Sequence, residues 1–492
     1  MKKQFNIFCA VVLVIGLNSC GKNYFNINNN PNAATNASPQ LVLSNALTVT
    51  AANQETPFNF LNAWMGYYGQ SGSYATGAGD IGSYKQTTGF GDGLWQARYH
   101  NLEDYEYVET AGKAGNLPFY VAAAKIMKAF VFEQLVDMFN NIPYTQALNG
   151  TSDITPKYDD AQTVYNDLVL QIDSAITLMQ NGLAVGTPTS DVLFGGNNAN
   201  WVQFANTLKL RILLRQSQVS ANATIIQGEL AKITSNGGGF LTTDAAVNPG
   251  YANNNGQQNP VWGFFVTLTG LPTSGGNADF WKAQQYAITW LQTHNDTNRL
   301  VQIYAPGGEG YTGSILGGTN NPAGSNAATP GPGILQSVSQ SAILISAAES
   351  YLFQAEADAR GWLSGNLTND YNNGVQASFT YLGAGSSATY VAQNDPQTNI
   401  TLNTNLNTQL ACIMRQEWIA NGQIDPFETW CNYRRLGLPA DVPLSISPFL
   451  DQLPAAIPIR LLYPTSEYND NTANVNAEGT INYHTSHIFW NQ

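Results

Sequence analysis

The sequence predicts a mainly α-helical protein: paired helices in a solenoid-like scaffold, interrupted by a long irregular insertion at 236–340. Three observations carry this. Apolar residues recur at helical steps over 118–139, 159–180, 201–219, 342–361 and 408–436. Short turns separate successive helices, as in stacked helix pairs, although no clean repeat of about 34 residues is visible. The stretch 236–340 loses the periodicity and becomes rich in Gly, Asn, Pro and Thr. Irregular segments of that length inside a compact protein are usually functional.

In chain order, helical periodicity begins after Ser38 with Leu41, Val42, Asn45, Ala46 and Val49. A helix is expected over Leu94–Val108. Pro118 suits the first turn of the next, which carries Ala122, Ile126, Ala129, Phe130 and Glu133 and stops at Asn140-Asn141-Ile142-Pro143. Another starts near Asp159 or Asp160, with Val164, Leu168, Ile172, Ala175 and Met179 on one stripe. The helix from Trp201 ends in Lys209, Arg211 and Arg215, as its dipole favours. Residues 223–233 close at Gly237-Gly238-Gly239. Within the insertion one helix is expected over 279–292, and helices resume at 342–361, 369–382, 408–421 and 427–436. The last 50 residues read as Pro-broken and extended.

The amino terminus, MKKQFNIFCAVVLVIGLNSC, has a basic start at Lys2 and Lys3 and an apolar run from Ile7 to Leu17. That run is too short to span a ~30 Å hydrocarbon core and reads as a signal peptide, 1–19. Leu17-Asn18-Ser19-Cys20 is close to a lipobox, which makes Cys20 the expected lipidated N-terminus. Residues 20–37 are a polar, Asn-rich tether, and 38–492 the helical domain. Cys412 and Cys431 are then left, on two successive helices, either as a disulfide or as two buried thiols.

Composition excludes several functions. Charged residues are 11% of the 492, and the net charge is −13, made two more negative by loss of Lys2 and Lys3. With no basic cluster the chain repels phosphate backbones, so no nucleic-acid partner is expected. The same sign opposes docking to anionic lipid, so any membrane attachment has to be covalent or hydrophobic. No metalloprotease helix, Walker A loop or nucleophile elbow occurs. Gly308-Glu309-Gly310-Tyr311-Thr312-Gly313 has dinucleotide-like spacing, but no helix pattern opens after it. His484 and His487 lie three apart without a third ligand nearby. Neither a metal nor a cofactor is expected.

Aromatic rings in Gly-, Asn- and Gln-rich surroundings are the feature that suggests a function. The C–H faces of neutral sugars stack on such rings, and amides and carboxylates meet their hydroxyls. The candidates are Tyr68, Tyr74, Tyr84 and Trp95, in or beside a Gly-rich stretch, with Trp262 and Trp281 from the insertion. Trp64 and Trp201, on helical stripes, read as core. Two function classes follow: a glycan-binding protein without catalysis, or a lipid-anchored glycoside hydrolase on a helical scaffold. A hydrolase needs a carboxylate pair whose spacing only the fold can set.

Several stretches also resemble the SusD/RagB family of Bacteroidetes outer-membrane lipoproteins. They are Asn28-Asn29-Asn30-Pro31-Asn32; Asp137 and Phe139 leading into Ile142-Pro143-Tyr144; Arg415-Gln416-Glu417-Trp418; Phe427 through Pro439; Ile457 through Asn469; and Phe489-Trp490. Asn141 stands where the family usually has Gly, and an amide tolerates the left-handed backbone. The resemblance implies tetratricopeptide-like helix pairs supporting a loop-rich ligand lobe. It also implies a lid over a TonB-dependent (SusC-like) outer-membrane transporter, oligosaccharide as ligand, and no chemistry. The location implied is the outer membrane, lipid-anchored and facing the exterior, although Gly21-Lys22-Asn23 lacks the acidic run that often directs export to the surface. Arg434, Arg435 and Arg460 are expected to be structural.

Overall fold

The computed structural model describes residues 37–491 apart from 57, 75–78, 182–189 and 450–454. The leader, Cys20 and nearly all of the tether therefore lie outside the described residues. The scaffold helices are α1 (Pro39–Glu55), α2 (Asp92–Ala114), α3 (Pro118–Phe139), α4 (Ala161–Gln180), α5 (Asn198–Arg215), α6 (Ala223–Asn236), α7 (Ala347–Ala359), α8 (Leu367–Leu382), α9 (Leu406–Asn421) and α10 (Pro426–Leu436). Helices α1 to α5 pack in succession, α1 on α2 and so on to α5, and α7 packs on both α8 and α9. Among the described residues no helix is long and apolar enough to cross a membrane.

Local chemistry sets the ends. Pro118 sits in the first turn of α3, where its missing N–H costs nothing. Asp160 caps α4 by accepting from the Thr163 N–H at 2.9 Å, and Ser346 with Glu349 forms a reciprocal capping box on α7. Helix α3 is buried almost all round, as expected of a helix with partners on both sides.

Two expectations shift at the edges of the insertion. Residues 342–345 form a strand paired with Ala245–Val247, so α7 starts at Ala347. Residues 281–283, expected as helix, form a strand, and the helix begins only at Gln285. Call Tyr68–Gln70 β1 and Trp281–Ala283 β2: they pair antiparallel, Tyr68 opposite Ala283 and Gln70 opposite Trp281. Gln284 reinforces the pairing, its Nε2 donating to Ala63 O and Tyr68 O at 2.7 Å each. Tertiary pairing overrides the local helical pattern there.

Buried ions tie the scaffold together. Arg215 makes a two-pronged contact to Glu428, at 2.8 and 2.6 Å, and a 3.0 Å bond to Asp137. Arg211 pairs with Glu133. Asp137 also accepts from the Trp490 indole at 2.7 Å. Arg434 lies over the Trp430 ring, 3.4 Å from its centroid. Arg435 pairs with Glu356, and Arg460 bonds the Phe139 carbonyl. All three arginines are buried and structural. Cys412 and Cys431 are separate, buried free thiols; burial pushes the Cys412 thiol up to about 12.

Among the described residues of the last 50 there is no strand; short helices form at Thr465–Asp470 and Thr472–Ala477, where the sequence reads as extended.

Candidate functional site

The β1–β2 pair sews the insertion to the segment after α1 and opens a cleft of about 260 Å³ beside it. Gln70, Asp80 and Ile81 form one wall, Phe280 and Trp281 the floor, and the segment from Leu316 to Asn321 the other wall. The lining is mainly apolar. Ser71 fixes the floor, its N–H donating to Phe280 O at 2.9 Å and its hydroxyl to Asp279 O at 2.7 Å. Asn321 holds the far wall: its Oδ1 accepts from Ile315 N–H and its Nδ2 donates to Gln70 O, both at 2.8 Å. Gly72 is required where these strands of chain meet, since a Cβ there would stand 1.9 Å from the Asn321 carbonyl oxygen.

An aromatic run crosses the floor. Phe280 meets Trp281 edge-on at 4.9 Å between centroids, and Tyr74 meets the other side of Phe280 at 5.1 Å. The Tyr74 hydroxyl donates to Gly276 O at 3.0 Å. Asp80 is the one carboxylate among the described residues lining the cleft.

The six sequence candidates therefore separate. Trp281 is largely buried, 8% exposed, and the part left open lines the cleft; Tyr74 stands one ring away. Trp262 is half-buried on the short helix Pro260–Phe265, outside the lining, its N–H accepted by Asn259 at 2.9 Å. Tyr68, Tyr84 and Trp95 are buried rings. Tyr68 packs on Tyr304 and Phe265. Tyr84 sits edge-on to Trp64, and its hydroxyl accepts from Ser445 N–H at 2.9 Å. Trp95 is enclosed by Tyr99, Phe139 and Tyr463. These three offer no open face for stacking. Gln70, Asp80, Ile81, Leu316 and Asn321 carried no sequence signal, because each reaches the cleft through long-range pairing.

A second cavity, of about 190 Å³, lies on the scaffold between α2, α3 and α4. Its charges are already neutralised, Lys128 reaching Glu106 and Glu109 at 2.5 Å each.

A family model described as "starch-binding associating with outer membrane" matches residues 31–464, nearly the whole chain. The chain belongs to the SusD-like family. Similar solved structures include a putative outer-membrane protein of Bacteroides vulgatus described as probably involved in nutrient binding. It is 22% identical with a TM-score of 0.76, covering 93% of this chain and 100% of that one. A SusD homologue of Bacteroides fragilis is 20% identical with a TM-score of 0.73 over the same shares. A protein described as chitin-binding is 22% identical with a TM-score of 0.73, again over 93% and 100%. At these identities the structures establish the fold, the helical tetratricopeptide-like scaffold of SusD-like proteins. No curated protein matches the chain significantly.

Proposed function

We propose that this SusD-like protein is a non-catalytic glycan-binding lipoprotein, anchored through Cys20 to the outer membrane and facing outward. It captures oligosaccharide for a partner TonB-dependent, SusC-like transporter. The observation that carries the binding role is the cleft over Trp281: an apolar floor with an aromatic run, edged by an amide and a carboxylate. A hydrolase would need two carboxyl groups roughly 5–10 Å apart across the scissile bond, and among the described residues of the lining Asp80 is the one carboxylate. The family's starch-related description and the chitin-binding neighbour make α-glucans and N-acetylglucosamine oligomers the first ligands to test.

Affinity electrophoresis in gels containing soluble starch or glycol chitin, with parallel assay of reducing ends, tests this directly. Retardation without product is expected. Release of reducing ends would favour the hydrolase instead. In the Trp281→Ala variant retardation should be lost, since a central stacking ring is worth about 2 kcal/mol or more, some 30-fold in affinity.

A further inference from the structure

Beside the cleft, the segment Leu444–Phe449 runs along the wall and turns apolar side chains to solvent. It is pinned from inside. Ser445 is buried, its N–H bonded to Tyr84 and its hydroxyl to the Gly82 carbonyl. Ile446 N–H donates to Leu316 O at 3.1 Å, and Phe449 N–H to Ser83 O at 3.0 Å. Gly317, at φ +76°, lies so close that a Cβ would stand 2.4 Å from Ser445 Oγ. Ser445 faces in, and Leu444 and Ile446 on either side of it face out. They are 40% and 63% exposed, neighbouring Ile315 is 51% and Phe449 39%. The Lys85 ammonium stands 5.1 Å from the Phe449 ring centroid.

We propose that this lip is an outer subsite for neutral oligosaccharide chains too long for the cleft; the proposal rests on the glycan-binding reading above. The lip is continuous with the cleft, because Leu316 lines the cleft and bonds Ile446. The cleft is too small for the whole ligand: about 260 Å³ is below the roughly 300–1,000 Å³ of pockets that enclose a drug-sized molecule. A chain of several sugars seated on Trp281 has to emerge, and the wall from Leu316 leads it onto Ile446 and Phe449. Exposed aliphatic and aromatic side chains meet the C–H faces of pyranose rings, and the Lys85 ammonium at the edge can donate to a sugar hydroxyl oxygen. Ser445, Ile446 and Phe449 are each bonded to the cleft wall, which lowers the cost of ordering the lip on binding.

The test compares chain lengths. Maltose and maltoheptaose, and chitobiose and chitohexaose, are titrated into wild type, the double variant Ile446→Ser/Phe449→Ala, and Trp281→Ala. Wild type is expected to bind the long member of the recognised series about tenfold or more tightly than the short one. The lip variant should lose that gain while its affinity for the short member changes less than about twofold. Its melting temperature should hold, since both side chains are exposed; Ile446→Ser alone serves if the double variant does not fold. Trp281→Ala should lose both lengths. A lip variant that keeps the full chain-length gain overturns the proposal and leaves the lip as a protein-docking surface. Equal loss on short and long chains overturns it as well, making the lip a support of the cleft. If wild type binds neither series at either length, the glycan-binding reading fails first, and the outer subsite with it.

Discussion

Tyr84 accepts a 2.9 Å hydrogen bond from the backbone N–H of Ser445, across 361 residues of sequence. A ring that the sequence offers as a sugar platform is instead the pin that fixes one rim of the cleft. Removing the hydroxyl in Tyr84→Phe leaves a buried N–H without its acceptor. The expected cost is about 1–3 kcal/mol, read as a lower urea midpoint with an unchanged slope.

Trp95 and Trp281 should behave oppositely. Trp95→Ala empties a core site among Tyr99, Phe139 and Tyr463 and should cost about 3–5 kcal/mol of stability. Glycan affinity per folded molecule should be retained. Trp281→Ala should lose affinity per folded molecule; the ring is 8% exposed, so stability falls as well. Urea titration and ligand titration on the same two variants check this, and the reverse pattern would move the site away from the β1–β2 pair.

Breaking the buried ion cluster should be far more damaging than its surface counterparts. Arg215→Met strands both Glu428 and Asp137 without their common partner. A loss of about 3–5 kcal/mol is expected. Lys232, half-exposed over Asp173 and Glu229, should cost less than about 1 kcal/mol when changed to Ala. Comparing the two unfolding midpoints decides it.

Glu55 gives the protein a specific pH dependence. Burial pushes its carboxyl from the ordinary 4.5 up to about 8, against hydrogen bonds from Val261 N–H, Ile343 N–H and Asn259 that favour the anion. The folded state thus holds a proton that the unfolded chain releases. Its contribution is full below about 4.5 and is lost as pH rises through about 8. Glu55→Gln keeps a neutral hydrogen-bonding group. Relative to wild type, the variant should gain stability between about pH 5 and pH 8.5. Unfolding midpoints at the two pH values measure this, and a parallel shift at both would contradict it.

The scaffold was legible because its signals are local. Pro118, the Asp160 cap and the stripe of Val164, Leu168, Ile172 and Ala175 each act within one or two turns, and α3 and α4 begin and end close to where the pattern places them. The insertion was less so. Trp281 and Ala342 begin strands because distant partners, Gln70 and Val247, pair with them, and periodicity carries no record of such partners. The cleft was partly legible for the same reason. Trp281, a candidate by type and setting, lines it, and Tyr74 stands beside Phe280. Tyr68, Tyr84 and Trp95 share that setting, yet whether a ring face is open depends on what the fold lays against it.

The bond between Trp490 and Asp137 has a consequence for how the molecule comes into being. Asp137 belongs to the central helix, and it is completed by a side chain 353 positions later. Arg215 and Tyr165 can reach Asp137 from the early helices, but its indole partner is absent until residue 490 has been made. Such distant closure is entropically slow, and a chain emerging vectorially leaves that part of the helix surface uncovered until then. A break near residue 480 would therefore be felt first at the last turn of α3, where Asp137 sits, rather than at the severed end.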